Sequence, residues 1–347
     1  MTAHIRQRLL AWFDRQRRDL PWRRTRNPYR IWLAEMMLQQ TRVPTVIPYY
    51  ERFLRAFPTV GRLARARPQR VLRLWAGLGY YQRACHLQAA AKKIVREHGG
   101  RFPRRLEEAL ELPGVGAYTA RALLSIAYGK PLGVVDGNVA RVLVRVFRLE
   151  AADPEDRAGV QPLADRLVSR ARPGDFNQAL MELGSTICLP RIPRCRACPL
   201  ERACRARRAG VEQRIPRRRR RRARARLTLN VLVLRRNGRL LLAREPFGTS
   251  PQDKPQGLFS GLWHFPYTRD RTPRPLARAL AANGLRHVGT LEHQTTMRDL
   301  ILRVYESKAN KDVAAHKNLR WARPTQIEGL GVGAATRKIA AMLEGGA

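Results

Sequence analysis

Two carboxylic acids sit in sequence settings that push their protonation apart. Glu35 lies in Pro28-Tyr-Arg-Ile-Trp-Leu-Ala-Glu35-Met-Met-Leu-Gln-Gln-Thr41. The pattern predicts a helix to about Arg42, opened by Asn27-Pro28, proline being suited to a first turn. On that helix Ile31, Trp32, Leu38 and Gln39 share the face of Glu35. A carboxyl among apolar side chains is desolvated, which raises its pKa and favours the protonated form a general acid needs. The same position also suits a glutamate that reaches solvent or pairs with an arginine. Asp136, in Val134-Val-Asp-Gly-Asn-Val139, falls where an N-cap is expected, and helix N–H groups there hold a carboxylate ionised. It is equally an ordinary cap. An acid and a fixed anion form the pattern of glycosidic cleavage through a cationic sugar. N-glycosidic cleavage of a nucleotide follows the same logic.

The second chemical cluster is Cys188-x6-Cys195-x2-Cys198-x5-Cys204, four of the chain's five cysteines. So tight a run reads as a metal site. Four thiolates suit structural zinc or an iron–sulfur cluster. Zinc sites usually come as two short knuckles, so one short gap flanked by longer ones fits iron–sulfur better. Cys85 has no partner in sequence and reads as a small apolar core residue.

A third feature is Leu112-Pro-Gly114-Val-Gly116-Ala-Tyr118-Thr-Ala120. A charged helical run enters it and an apolar one leaves it. Gly114 and Gly116 suit a tight turn with φ > 0. A helix starting just beyond points free N–H groups outward, towards a phosphate. An ordinary helix-turn-helix connection has the same look. Gly77-Leu-Gly79-Tyr80-Tyr81 puts two aromatics after a glycine break, fit either to wedge between bases or to fill a core.

The elements that must position these groups are mostly helical. A first helix is expected over about His4 to Arg17, then about Val43 to Phe57, Val60 to Ala66, Pro68 to Trp75, Ala84 to His98, and one after Asp136 to about Arg148. Pro216, six arginines, Arg224 and Arg226 read as an extended linker whose charge either touches phosphates or is simply solvated. From Leu227 the pattern changes to strands, with Asn237-Gly238 as a hairpin turn. A helix over Pro275–Asn283 and strands near His287–Glu292 and Leu300–Glu306 complete a smaller α+β domain.

The 347 residues allow two cored domains, and 68 Lys and Arg against 27 Asp and Glu give a net charge of +41. Such an excess points to nucleic acid, although a GC-rich genome would also favour arginine. No apolar run approaches the ~20 residues of a spanning helix. No signal-peptide core is present. A cytoplasmic, nucleoid-associated protein without disulfides or membrane contact is expected, acting as a monomer.

Taken together and in order, Glu35-to-Thr41, Gly77-to-Tyr81, Leu112-to-Gly116, Val135-Asp-Gly-Asn138, Phe176-Asn-Gln-Ala-Leu-Met-Glu-Leu-Gly184 and the cysteine run resemble the adenine DNA glycosylases, the MutY branch of the helix-hairpin-helix glycosylases. The resemblance is close over about residues 5 to 205 and looser beyond. It implies a mainly α, two-lobed helix-hairpin-helix glycosylase fold over 1–212. A six-helix barrel would span about 28–133, and 1–27 with 134–212 would form a [4Fe-4S] subdomain. A linker over 213–226 and a smaller α+β Nudix-like domain over 227–347 would follow. The reaction implied is removal of adenine from double-stranded DNA opposite 8-oxoguanine or guanine, the adenine being flipped into the cleft. By position, Glu35 protonates adenine N7 and handles the water, and Asp136 stabilises the sugar cation. Tyr118 and Asn138 orient them. Gln39, Gln40 and Tyr80 approach the gap and the opposite strand. Gly114 and Gly116 hold a phosphate, and Cys188, Cys195, Cys198 and Cys204 hold the cluster.

Where the related endonuclease III has an amine nucleophile, this chain has Tyr118, so little or no strand cleavage is expected. The C-terminal helix after Pro266 is rich in Arg and Ala, without the glutamates that would hold Mg²⁺, so nucleotide hydrolysis is not expected. The family reads 8-oxoguanine with a Phe-Ser-His turn after an upstream His. Here His293 supplies the upstream His and Thr296 stands for the Ser, but Thr295 and Met297 replace Phe and His. Weaker discrimination is the expectation. The competing readings are an endonuclease III-like pyrimidine glycosylase/lyase and a non-catalytic iron–sulfur DNA-binding protein.

Overall fold

Proline and left-handed turns divide the chain into short helices before it turns to strands. The computed structural model describes residues 2–149, 157–216, 223–244, 258–259, 261–295, 298–309, 313, 318–327 and 329–344. Two compact units emerge, Met1–Arg65 with His86–Arg220, and Ala66–Cys85 with Arg221–Ala347. The helices are α1 (Thr2–Gln16), α2 (Pro28–Leu38), α3 (Val43–Ala56), α4 (Val60–Ala64), α5 (Pro68–Trp75), α6 (Gln82–His98), α7 (Leu106–Leu110), α8 (Ala117–Tyr128), α9 (Gly137–Phe147), α10 (Arg157–Leu167), α11 (Pro173–Thr186) and α12 (Arg205–Arg208). Among the described residues no helix is long and apolar enough to cross a membrane.

In the first unit α2 packs on α3 and α8. Trp32, Leu33 and Phe53 are fully buried there. A separate apolar cluster joins α1 to α9, α10, α11 and the segment beyond the cysteines through Ile5, Leu9, Phe13, Leu143, Phe176, Leu183 and Ile215. The α2 helix stops at Leu38, four residues short of the expected end. The ring of Pro44 would strike the carbonyl of Gln40 in a continuous helix. The chain instead turns at Gln40, with φ of 57°, and restarts as α3.

The hairpin joins α7 to α8. Gly114 has φ of 73°. Gly116 does not share that geometry: it is the N-cap of α8, with φ of −88° and ψ of 178°. The expected left-handed pair is therefore a single residue. A Cβ on Gly114 would stand 2.6 Å from His86 Cβ, against the half-buried imidazole beneath the turn. Gly114→Ala is expected to cost about 1–3 kcal/mol from steric overlap and backbone strain, read as a lower urea midpoint with unchanged slope.

The second unit holds a mixed sheet. Its strands are β1 (Ala225–Arg236), β2 (Arg239–Arg244), β3 (Trp263–His264), β4 (Tyr267–Thr268), β5 (Ala282–Gln294), β6 (Arg298–Ala309) and β7 (Leu319–Ala322), with α13 (Arg274–Ala279), α14 (Pro324–Ile327) and α15 (Ala334–Glu344). The sheet order is β3-β2-β1-β6-β5, with β4 on β1 and β7 on β2. β1 and β6 run parallel, from Ala225 opposite Arg298 to Arg235 opposite Lys308. Asn237 and Gly238 both take positive φ, 47° and 69°, the geometry of a two-residue hairpin. The helix expected over Pro275–Asn283 ends at Ala279, because Ala282 already pairs with Ala309 in the β5–β6 ladder. Leu229, Val231, Val233, Leu302, Val304 and Ile339 form the core.

Ala66–Cys85, expected within the helical barrel, groups with this second unit. The Cβ of a residue at Gly331 would stand 3.1 Å from Leu72 Cβ. Tyr81 Oη donates to the Val332 carbonyl at 3.4 Å. Cys85 is half-buried, and burial pushes its thiol up to about 12. Residues 217–222 of the arginine linker and Gly257 lie outside the described residues.

Candidate active site

Glu35 sits on the last turn but one of α2, 5% exposed. Burial pushes its carboxyl up to about 7, and the Asp136 charge adds to the rise, while the Tyr118 hydrogen bond and Arg23 pull the other way. Tyr118, on the first turn of α8, donates its hydroxyl to Glu35 Oε2 at 2.8 Å. Half of Glu35's chemistry is therefore burial and half is aim.

Asp136 is the N-cap of α9, as its position in the sequence predicts, and accepts from Val139 N at 2.6 Å. Asn138 Nδ2 donates to its other oxygen at 3.1 Å. Asn138 is held in turn by Arg141 Nη2 at 2.9 Å, which also bonds the Gly184 carbonyl at 2.7 Å. Gly184 has no side chain for a reason: a Cβ would lie 2.7 Å from Asn138 Cβ. Glu35, Tyr118, Asp136 and Asn138 line one open cavity of about 400 Å³, large enough for a flipped base.

The opposite wall went unread in the sequence. Glu182, 1% exposed, receives Arg18 Nε at 2.6 Å, Arg18 Nη2 at 2.7 Å and Arg23 Nη2 at 2.8 Å. Burial alone would raise its carboxyl, but the hydrogen bonds from Arg18 and Arg23 hold it below the usual range. Arg18, Arg23 and Glu182 all line the cavity, and so do Gln178, Met181 and Ser185 from α11. The signal was the helical spacing of the polar residues 178, 182 and 185.

The remaining expected residues divide. Gln39 lies past the end of α2, its Nε2 3.3 Å from Thr119 Oγ1. Gln40 is exposed on the left-handed turn. Tyr80 and His293 belong to the second unit. His293 is half-buried on β5, and burial and Lys338 lower its pKa. Thr296 lies outside the described residues, but the flanking turn is defined: Thr295 Oγ1 accepts from Arg298 N at 3.0 Å.

Cys188, Cys195, Cys198 and Cys204 line a second, narrow cavity of the first unit. Among the described residues no three His, Cys, Asp or Glu side chains converge as a single metal ion would require. Four thiols lining one cavity are a donor set that fits either zinc or an iron–sulfur cluster. Arg145 Nη1 stands 3.3 Å from Cys188 Sγ, a donor suited to a thiolate.

Residues 33–159 match the model of the HhH-GPD superfamily base excision DNA repair proteins. The adenine DNA glycosylase of Mycolicibacterium smegmatis is 43% identical over 203 residues, covering 58% of this chain and 69% of that protein. The chain belongs to the adenine DNA glycosylase family. The human adenine DNA glycosylase is 52% identical over 221 residues, 60% of this chain but 40% of the human protein. The chain thus spans less than half the length of that family member. A thermostable thymine-DNA glycosylase superposes with a TM-score of 0.55 at 31% identity, over 60% of this chain and 97% of its own. The mainly helical part carrying the cavity has the helix-hairpin-helix glycosylase fold shared by this family, and an α+β sheet unit follows it.

Proposed function

We propose that the chain is a monofunctional adenine DNA glycosylase that hydrolyses the N-glycosidic bond of adenine mispaired with 8-oxoguanine or guanine. The observation that carries this reading is the buried Glu35 carboxyl, raised to about 7 and held by Tyr118 in the cavity it shares with Asp136. The base is flipped into that cavity from double-stranded DNA. Glu35 gives its proton to adenine N7. The C1′–N9 bond breaks with its electron pair going to the base. Asp136, fixed by Val139 N and Asn138, faces the sugar cation. Water then adds to C1′ and its proton returns to the Glu35 carboxylate. The Arg18–Glu182–Arg23 wall offers directional donors around a planar base.

Gly114 and Gly116 open the start of α8 to a phosphate. Gln39 and Gln40 of the first unit are DNA contacts, and so are Tyr80, His293 and Thr296 of the second, whose sheet part is a Nudix-like domain that reads the opposite base. The four cysteines hold an iron–sulfur cluster, which when bound ties the 188–204 loop together. Arg145 then donates to one of its thiolates. The wide charge excess attracts DNA, and the protein acts as a monomer in the nucleoid.

Single-turnover release of adenine from duplexes with A opposite 8-oxoguanine, guanine or cytosine is the test. Fastest release opposite 8-oxoguanine supports the reading, and equal release opposite guanine restricts it to the chemistry alone. No release from any adenine duplex, or preferential release of thymine or damaged pyrimidine, overturns it. Among the described residues the cavity lining includes no lysine. Borohydride is therefore expected to trap no efficient enzyme–DNA adduct, since a Schiff base needs an amine nucleophile. An abundant trapped species would mean a lyase.

A further inference from the structure

The turn before α6 carries unusual backbone. Gly77, Gly79 and Tyr80 take φ of 101°, 75° and 48°. Glycine adopts such values freely, but for tyrosine the Cβ crowds the backbone. A bulky residue persists there only where its surroundings over-determine it. Arg83 supplies those surroundings. Its side chain, 7% exposed, fills the hollow of the turn. Nη2 donates to the carbonyls of Leu78 at 3.3 Å and Gly79 at 3.2 Å. Its Cζ lies 5.3 Å from the centre of the Trp75 ring and 5.3 Å from that of Tyr80. Trp75 Nε1 adds a bond to the Gly79 carbonyl at 3.0 Å. Burial lowers the Arg83 pKa to about 10, with Tyr80 pulling the other way, so the guanidinium stays charged at neutral pH.

The cation thus joins a fully buried tryptophan to a tyrosine that is left 39% exposed. A solvated tyrosine has no need of a buried cation on its ring or of a left-handed backbone. A ring that must enter a base stack has need of both, because a free side chain would lose that orientation on binding.

We propose that Arg83 is the positioning residue of Tyr80, clamping the Gly77–Tyr80 turn and holding the ring projected for insertion between bases. The proposal rests on the reading of Tyr80 as a DNA contact. Lysine cannot replace the arginine, because a compact ammonium cannot lie flat against two rings while bonding two carbonyls.

The test uses the full chain and a duplex with 2-aminopurine beside 8-oxoguanine. The opposite adenosine carries a 2′-fluoro group, which destabilises the sugar cation and keeps the bond intact. The wild type is expected to raise 2-aminopurine fluorescence as the stack opens. Tyr80→Ala and Arg83→Lys are each expected to lose most of that rise and to bind about tenfold more weakly. The double variant is expected to be no worse than Tyr80→Ala alone, because residues acting as one unit are not additive. Arg83→Met, which fills the hollow without donors, is read in the same way if the lysine variant folds poorly. Wild-type fluorescence and affinity in the Arg83 variants, or losses that add to those of Tyr80→Ala, overturn the positioning role while the wedge stands. If Tyr80→Ala itself changes neither signal nor affinity, the wedge reading fails first.

Discussion

Glu35→Gln is expected to lower single-turnover adenine release by about 10³-fold or more while leaving DNA affinity within a few-fold of wild type. The substitution keeps the volume and keeps an oxygen for the Tyr118 hydroxyl, which donates at 2.8 Å. What it removes is the transferable proton, and general acid catalysis of this kind contributes about 10²–10⁴. The pH profile gives a second signature. If Glu35 is the acid of the proposed reaction, only its protonated fraction is competent, and burial raises its pKa to about 7. The rate is therefore expected to fall about tenfold per pH unit above that value. A rate that instead rises through pH 7 would make Glu35 a base in the slow step.

The same residue has a stability cost with a definite sign. The carboxyl rises from 4.5 to about 7 in the fold, so the fold favours its neutral form. The stabilisation is fully present below about 4.5 and is lost as pH rises through about 7. At pH 8 the wild type bears a penalty on the order of 3 kcal/mol, which the uncharged glutamine escapes. The inactive variant is thus expected to unfold at higher urea than the wild type at pH 8 and at nearly the same urea at pH 4.5.

Much of the catalytic face was legible because each part follows from local rules. Helical spacing puts Ile31 and Leu38 beside Glu35, and both line the cavity with it. Asp136 announces itself as a cap through Gly137 and the helix that follows. The end of α2 was misjudged because periodicity continues through Thr41, whereas the steric conflict comes from Pro44 further along. Glu182 was missed for a different reason. Its partners Arg18 and Arg23 lie some 160 positions away in sequence, and a buried glutamate reads as an exposed one until its partners are known. The second unit was legible as alternating strands and a hairpin, but the parallel pairing of β1 with β6 is a long-range choice that no local pattern encodes.

Arg141→Gln is expected to disable the enzyme from a position that touches neither carboxyl. Arg141 is 8% exposed. It bonds Asn138 Oδ1 and the Gly184 carbonyl through Nη2, the Gly137 carbonyl through Nη1 at 3.3 Å, and the Cys188 carbonyl through Nε at 2.8 Å. One guanidinium therefore links Asn138, which bonds Asp136, to the first cysteine of the four-cysteine cavity. Glutamine is too short to reach all four acceptors. The Gly184 carbonyl left behind is buried, and its unmet charge-assisted bond costs about 1.5–3 kcal/mol. A fall of about 10–10² in single-turnover rate is expected, together with less iron per chain. Arg145→Gln is the contrast. Arg145 bonds Cys188 Sγ and the carbonyls of Leu189, Pro190 and Ile215, and none of these contacts reaches Asn138. It is expected to lower iron content while the rate per iron-loaded chain stays close to wild type. The two arginines lie four residues apart on one helix, yet of the two it is Arg141 that bonds both the Cys188 carbonyl and Asn138, the partner of Asp136. Equal rate losses per iron-loaded chain in both variants would mean that the loop supports the fold and passes nothing to Asp136.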